Sequence, residues 1–433
     1  MTWPQHAIWS VIRWEGENAH TRNVSTVWHL PQSTTVEGVV DTFTALLRTC
    51  ETLRTTFSQA GQGWPDQLVH GSGAIVVHHY QTTADAADAC TERVHRELRR
   101  TCFDLSADMP LVIGIVSVGD RAHSAVAVLS HVAVDGQSLM ILRRMFEEVL
   151  HGGPDALDGS AGPAEQPLDL AGYEQSPAGK AMGQQAIGFW RETFAEVPTI
   201  MFAGGPEQES RIERAQMSSP TMARAVRQIS VRERVSNSAV VLGAAALVLS
   251  SILDTPDIAL RTLIATRFRP KARYSIAALN LNGLFRVQVE AGSAGSHFRR
   301  SSTASLLAIR RSHYDPAELE TELDRVMLGR GVPAKQYMFF NDMSSPHESD
   351  AYETGRADDA TRIWTIDDDR PDKDSKLLLK VFSIAETASL SLYLDRRFLP
   401  RGPAEILRSL EWVTSEAARD ADATVTDLLR RCC

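Results

Sequence analysis

A mixed α/β chain folded as two lobes is predicted, on three observations. At 433 residues the chain is long enough for two packed lobes. Strand-like and helix-like segments alternate in each half. One long stretch rich in Gly, Pro, Ala and Asp, His151–Lys180, separates the halves and reads as a linker. The boundary is placed within it, giving an N-terminal lobe over 1–165 and a C-terminal lobe over 166–433.

In order along the first half, Thr26–Leu30 reads as a strand, and Thr35–Glu51 carries helical spacing in Val39, Val40, Phe43, Leu46 and Leu47. Glu51–Phe57 switches to an extended run, Gly61–Trp64 to a turn and Ile75–His79 to a strand. Ala84–Arg100 is a helix and Leu111–Ser117 a strand. Ser124–Val134 is apolar on both faces, which predicts a strand in the middle of a sheet. It breaks at Asp135-Gly136. Ser138–Leu150 follows as an amphipathic helix with Leu139, Ile141, Leu142, Met145, Phe146 and Val149 inward.

The second half repeats the alternation, without a short repeat. Gln185–Phe194 is helical, Met222–Val231 reads as a strand and Ser236–Leu253 as a buried helix started by Ser236-Asn237. Ile258–Thr266 is a strand, and Ser302–Tyr314 and Glu318–Met327 are helices. Gln336–Phe340 and Lys376–Leu394 supply further strands, and Pro403–Ala418 a helix. Asp342–Asp374, polar and acidic, reads as a long exposed or bridging loop.

Composition narrows the class. Hydrophobic residues make up 43% and charged residues 23%, the balance of a globular protein with a real core. A net charge of −9, with no basic cluster interleaved with aromatics, excludes a nucleic-acid partner. The cysteines, Cys50, Cys90, Cys102, Cys432 and Cys433, are odd in number and lack CxxC spacing beside histidine. No metal site and a reduced cytoplasmic protein are therefore expected, with an oxidation-prone Cys432-Cys433 tail. The start Met1–His6 lacks the basic head and apolar run of a signal peptide. The most apolar stretch, Ser238–Leu253, is shorter than the roughly 20 residues a bilayer needs, so no membrane association is expected.

Chemistry concentrates in Ser130-His131-Val132-Ala133-Val134-Asp135-Gly136. A histidine where an apolar strand opens into a tight turn can face a cavity. Histidine suits proton transfer at neutral pH, since its ordinary pKa is near 6.5. Asp135 comes too early in the turn to orient His131 and, if buried, needs a cation of its own. Gly136 would let backbone N–H groups approach a developing oxyanion, with the N-terminus of the following helix behind it. Read alone, the same segment also fits a core histidine before an ordinary Asp-Gly turn.

Ser130–Gly136 is similar to the HHxxxDG motif of nonribosomal-peptide condensation domains, which share the chloramphenicol-acetyltransferase fold. Further segments resemble that family in the same order. Pro4–Trp9 resembles its opening Q-x-x-[IL]-W segment, and Glu51–Phe57 its H-E-x-L-R-T-x-F run, with Cys50 where His is usual. Phe103–Leu105 matches F-D-L, and Phe189-Trp190 resembles the Y-W that opens the second lobe. Ala265–Arg267 resembles the segment before the lobe crossover, and His313–Glu318 resembles H-x-D-x-P-x-E. Asn282–Phe285 matches G-x-F-V-N-T poorly.

The resemblance implies two acetyltransferase-like lobes in a V with a tunnel between them, and donor and acceptor entering from opposite faces. It implies an acyltransferase that binds no cofactor of its own. Substrate would arrive on the 4'-phosphopantetheine arm of a carrier protein, and the acceptor would be an amine or alcohol. His131 aligns with the catalytic second histidine of the motif. Asp135 aligns with its structural aspartate, and Arg54 with the arginine that pairs with it. Ser130 replaces the first histidine and is left a supporting role. The chain starts at the family's opening segment and carries no carrier motif, so a monomer acting in trans is expected. A coenzyme A-dependent acyltransferase of the same fold and a non-catalytic docking module are the alternatives. A D-F-G-W-G run, expected for the former, is not found.

Overall fold

The computed structural model describes residues 1–58, 64–157, 164–202, 211–332, 337–344, 360–366 and 375–432. By contact they form two compact units. The first comprises Met1–Gly183, Ala265–Leu281 and Tyr314–Ala317. The second comprises Gln184–Ile264, Asn282–His313 and Glu318–Cys433. The first unit thus runs past the 165/166 boundary read from composition, and it takes in two short segments from far along the chain.

The first unit runs α1 (Trp3–Glu15), β1 (Val24–His29), α2 (Val36–Thr49), β2 (Thr55–Ser58), β3 (Asp66–Val69), β4 (Val76–Thr82), α3 (Ala87–Leu98), β5 (Leu111–Val118), β6 (Arg121–Leu129), α4 (Gly136–Gly152), α5 (Pro167–Gln175) and the start of α6 (Pro177–Glu196). Its main sheet has the order β1-β6-β5-β4, antiparallel except for the β4–β5 pair. Successive side chains on a strand alternate in direction. Val112, Val116, Val126 and Val128 therefore pack on Val94 and Leu98 of α3. Ile113, Ile115, Ala125, Ala127 and Leu129 point the other way, into a core shared with α2, α4 and Trp28. Trp28 and Phe146 stack there at 4.6 Å between ring centroids. This two-sided burial is why β5 and β6 read as continuously apolar.

The second unit continues with β7 (Ile212–Ser219), α7 (Pro220–Glu233), α8 (Asn237–Leu253), β8 (Asp257–Ala265), β9 (Asn280–Gln288), α9 (Ala294–Arg310), α10 (Pro316–Gly329), β10 (Tyr337–Asp342), β11 (Arg362–Thr365), β12 (Ser375–Ile384), β13 (Ala388–Asp395), α11 (Pro403–Arg419) and α12 (Val425–Cys432). Its sheet has the order β11-β7-β13-β12-β10-β8-β9, with β10 parallel to β8 and β12. Helix α8 is buried along nearly its whole length beneath α7, α9 and α11. Gly243 makes this possible, since a Cβ there would lie 2.9 Å from Phe298 of α9. Among the described residues no single helix is long and apolar enough to cross a membrane.

Several elements differ from the sequence reading. Met222–Val231 is not a strand but part of α7. Met222, Ala223, Val226 and Ile229 are buried at helical spacing, and Ser219 and Pro220 cap and start the helix. The strand is the preceding alternately buried segment, β7. Ser124–Val134 is extended only as far as Leu129, and the rest is a turn. Glu51–Arg54 is a 3-10 helix before β2, where an extended run was read. The His151–Lys180 stretch holds a 3-10 turn at Pro154–Leu157, α5 and the start of α6. The supposed Asp342–Asp374 loop contains β11, while 345–359 and 367–374 lie outside the described residues. Residues 61–63 of the Gly61–Trp64 turn, 158–163 of the linker, position 336 of the Gln336–Phe340 strand and Cys433 of the tail also lie outside them. Cys50, Cys90 and Cys102 are free, and burial pushes the Cys50 thiol up to about 12.

His297 on α9 supplies a pH test of this core. Burial drops its pKa to about 4, although its ring nitrogen Nε2 contacts the Gly243 carbonyl at 3.0 Å. An unfolded histidine titrates near 6.5, so between these values the unfolded chain takes a proton that the folded chain refuses. The contribution is complete above pH 6.5 and is lost as pH falls toward 4. Between pH 7 and 5 the wild type should lose about 2 kcal/mol more stability than His297→Gln in urea unfolding. Equal losses would mean that His297 is not kept neutral by burial.

Candidate active site

The motif turn joins the end of β6 to α4, and its carbonyls are held one by one. Gln5 Nε2 of α1 donates to the Val132 carbonyl at 3.3 Å, and the Thr52 hydroxyl donates to that of Ala133 at 2.9 Å. His131 Nδ1 lies 2.7 Å from the Val134 carbonyl. A carbonyl oxygen can only accept, so Nδ1 carries a hydrogen, and in the neutral tautomer that this contact selects Nε2 is the nitrogen with the lone pair. Val132, Ala133 and Val134 are fully buried behind the turn, while His131 is only half-buried. The contact fixes the imidazole against the turn through Nδ1 and leaves Nε2 as the ring nitrogen that the turn does not use.

Ser130 is buried, and its N–H donates to the Pro110 carbonyl at 3.1 Å while its own carbonyl accepts from Ala133 N–H at 3.0 Å. Both are main-chain bonds, so alanine would keep them. Gly136 is the first residue of α4 and is exposed. A Cβ at Gly136 would meet nothing within 4 Å, and its φ lies outside the left-handed region. Neither the turn nor a neighbour demands glycine there. The position opens on the N-terminus of α4, where backbone N–H groups and the helix dipole favour negative charge.

Asp135 is the N-cap of α4, accepting from Ser138 N–H at 2.8 Å. It is fully buried, and its cation is Arg267, not Arg54. Arg267 Nη1 reaches Oδ2 at 2.7 Å and Nη2 reaches Oδ1 at 2.9 Å, with the guanidinium side chain only 4% exposed. Leu279 N–H adds a bond to Oδ2 at 3.0 Å. Burial opposes ionisation of Asp135, but the Arg267 charge and these hydrogen bonds outweigh it and hold the carboxyl below its ordinary value. Arg267 Nη2 also donates to Ser138 Oγ at 2.7 Å, and that hydroxyl bonds Ala277 main chain. Thr266 fastens the same segment through the Leu279 carbonyl.

Arg54 is used elsewhere. Its Nε donates to the Leu47 carbonyl at 3.1 Å and its Nη1 to that of His70 at 2.7 Å, tying the end of α2 to the segment after β3. The structure therefore brings Ser130, His131, Asp135 and Gly136 together and leaves Arg54 out. Sequence reasoning had no assignment for three contributors. Arg267 stood in the noted Ala265–Arg267 segment, Gln5 in the opening segment and Thr52 in the Glu51–Phe57 run. Asn282–Phe285 lies in β9, where a Cβ on Gly283 would come 2.7 Å from the Ala308 carbonyl.

Because Ser130 contributes main-chain bonds, Ser130→Ala should keep activity within about tenfold of wild type, the equivalent of one lost hydrogen bond. An acylated Ser130 would behave differently. Alanine would then abolish turnover, and donor alone would leave an adduct visible by intact mass.

The condensation-domain family model matches residues 1–353. Among curated proteins, phosphinothricin tripeptide synthetase PhsC of Streptomyces viridochromogenes is 24% identical over 302 residues, 67% of this chain and 28% of that protein. The beauvericin nonribosomal cyclodepsipeptide synthetase of Beauveria bassiana is 26% identical over 186 residues, 40% of this chain and 6% of that protein. The chain thus spans less than a third of the length of these relatives. Among solved structures, the condensation domain of the Monacolin K polyketide synthase MokA superposes with a TM-score of 0.74, at 16% identity over 97% of each chain. The X-domain from teicoplanin biosynthesis gives 0.72, at 16% identity over 99% of this chain and 96% of that one. These likenesses establish the mixed α/β, acetyltransferase-like fold.

Proposed function

This chain belongs to the condensation-domain family, and from that premise we propose that it transfers an acyl group from a carrier-protein thioester to an amine, with His131 Nε2 receiving the proton. The observation that carries this reading is the Nδ1 contact with the Val134 carbonyl, because it reserves Nε2 as a base. The amine nitrogen attacks the thioester carbonyl carbon, and its proton passes to Nε2. The tetrahedral oxyanion is stabilised at the N-terminus of α4, where Gly136 leaves the approach open. The C–S bond then breaks, and the phosphopantetheine thiolate leaves with the proton held on Nε2, restoring the neutral imidazole. Asp135 and Arg267 take no proton. They hold the start of α4 in place.

Phosphopantetheine enters as part of the substrate, on a carrier protein supplied in trans. A hydroxyl acceptor would follow the same steps to an ester. The test is intact-mass analysis of acyl-loaded carrier proteins incubated with the chain and a panel of amines and alcohols. Loss of the acyl mass from the carrier, matched by an amide product and dependent on His131, is expected. Carrier binding without transfer to any acceptor would instead favour the docking-module reading. Transfer from coenzyme A thioesters, but not from loaded carriers, would favour the coenzyme A-dependent one.

A further inference from the structure

The first unit contains a cavity of about 720 Å³ bounded by α2, residues 71–75, Met109 and strands β4 and β5. Pockets of this size bury ligands of drug-like dimensions. Its walls are apolar, with Phe43 from α2 and Ile113 from β5 facing it. Arg48 and Arg54 are the charged residues lining it, and among the described residues no Asp or Glu does so. Arg54, in the 3-10 turn after α2, has given two of its donors to main-chain carbonyls, which carry no charge to compensate its own, and Arg48, exposed in the last turn of α2, lines the same cavity. Within the lining, residue 73 packs closely on Met109, since a Cβ on Gly73 would lie 2.6 Å from Met109 Cε.

The geometry points to a binding site for a carboxylate on an apolar body, the acid at Arg48 and Arg54 and the body between α2 and the sheet. Guanidinium groups match carboxylate geometry, and burying the apolar body in the cavity supplies the rest of the affinity. The site does not depend on the acyl-transfer reading, and its test measures binding and not turnover, so the two fail separately.

Calorimetric titration of the full chain with decanoate and 2-naphthoate tests it, with 1-decanol and 2-naphthol as uncharged counterparts. At least one of the acids should bind with one-to-one saturation, and at least about tenfold more tightly than its counterpart. Arg48→Glu, at an exposed position, should weaken that acid about tenfold and leave the alcohol unchanged. Thr44→Trp, which puts an indole into the cavity from α2, should abolish both, with circular dichroism confirming the fold. The site is overturned if neither acid binds, if acids and alcohols bind alike, if Arg48→Glu leaves the acid's affinity unchanged, or if a folded Thr44→Trp protein binds as the wild type does.

Discussion

His131→Ala is expected to lower turnover by about 10²- to 10⁴-fold, the usual contribution of a positioned general base, while the protein stays folded. The side chain's hydrogen bond is to the Val134 carbonyl, in a turn where Gln5 and Thr52 hold the carbonyls of Val132 and Ala133. Removing it costs about 1 kcal/mol of stability, far too little to explain such a loss of rate. Rates with saturating loaded carrier and acceptor, read beside a melting curve, separate the two effects. If more than a tenth of the wild-type rate survives, His131 is not the base. Gln5→Ala supplies a graded comparison, because it frees the Val132 carbonyl without touching the imidazole. Its rate should fall by less than that of His131→Ala, and the missing activity should reappear in part with Gln5→Asn only if the shorter amide still reaches the turn.

What was legible in the chain was whatever local pattern decides. The apolar run of β6 between its neighbours, the amphipathic spacing of α2 and α4, and the Ser236 cap of α8 each state their own structure within a few residues. The same rules apply to α7, where Ser219 and Pro220 announce a helix, although the apolar residues of Met222–Val231 alone also fit a strand. The pairing of Asp135 could not be read in this way. Its need for a cation follows from burial, yet the arginine lies 132 positions on in the chain, in a segment that folds back into the first unit. Arg54 was the aligned candidate, and the carbonyls of Leu47 and His70 claim it instead. Roles for Gln5 and Thr52 were hidden for a related reason. Side chains that hold main-chain carbonyls leave no mark in hydrophobic periodicity.

Arg267→Ala and Asp135→Ala should each cost about 3–5 kcal/mol, because each leaves its partner charged and buried without compensation. The pair is bidentate, with distances of 2.7 and 2.9 Å, and both side chains are almost wholly shielded. Loss of Asp135 also removes the cap from α4 and the acceptor for Leu279 N–H. Loss of Arg267 also removes a donor from Ser138 Oγ and from the carbonyls of Ser275 and Ala277. Arg267→Lys does not rescue the pair, since an ammonium cannot span both oxygens. Because the two charges share one network, the double variant Asp135→Ala/Arg267→Ala should be less destabilised than the sum of the single ones, by about 1–3 kcal/mol. Arg54→Ala is the contrast. It gives up two bonds to carbonyls at a half-buried site, for about 1–3 kcal/mol in total, and its effect should add to that of Asp135→Ala without coupling. Urea unfolding of these variants and of the double variant Arg54→Ala/Asp135→Ala decides the assignment. Coupling of Asp135 to Arg54, with additivity toward Arg267, would return the cation to the 3-10 turn after α2 and refute the pairing described here.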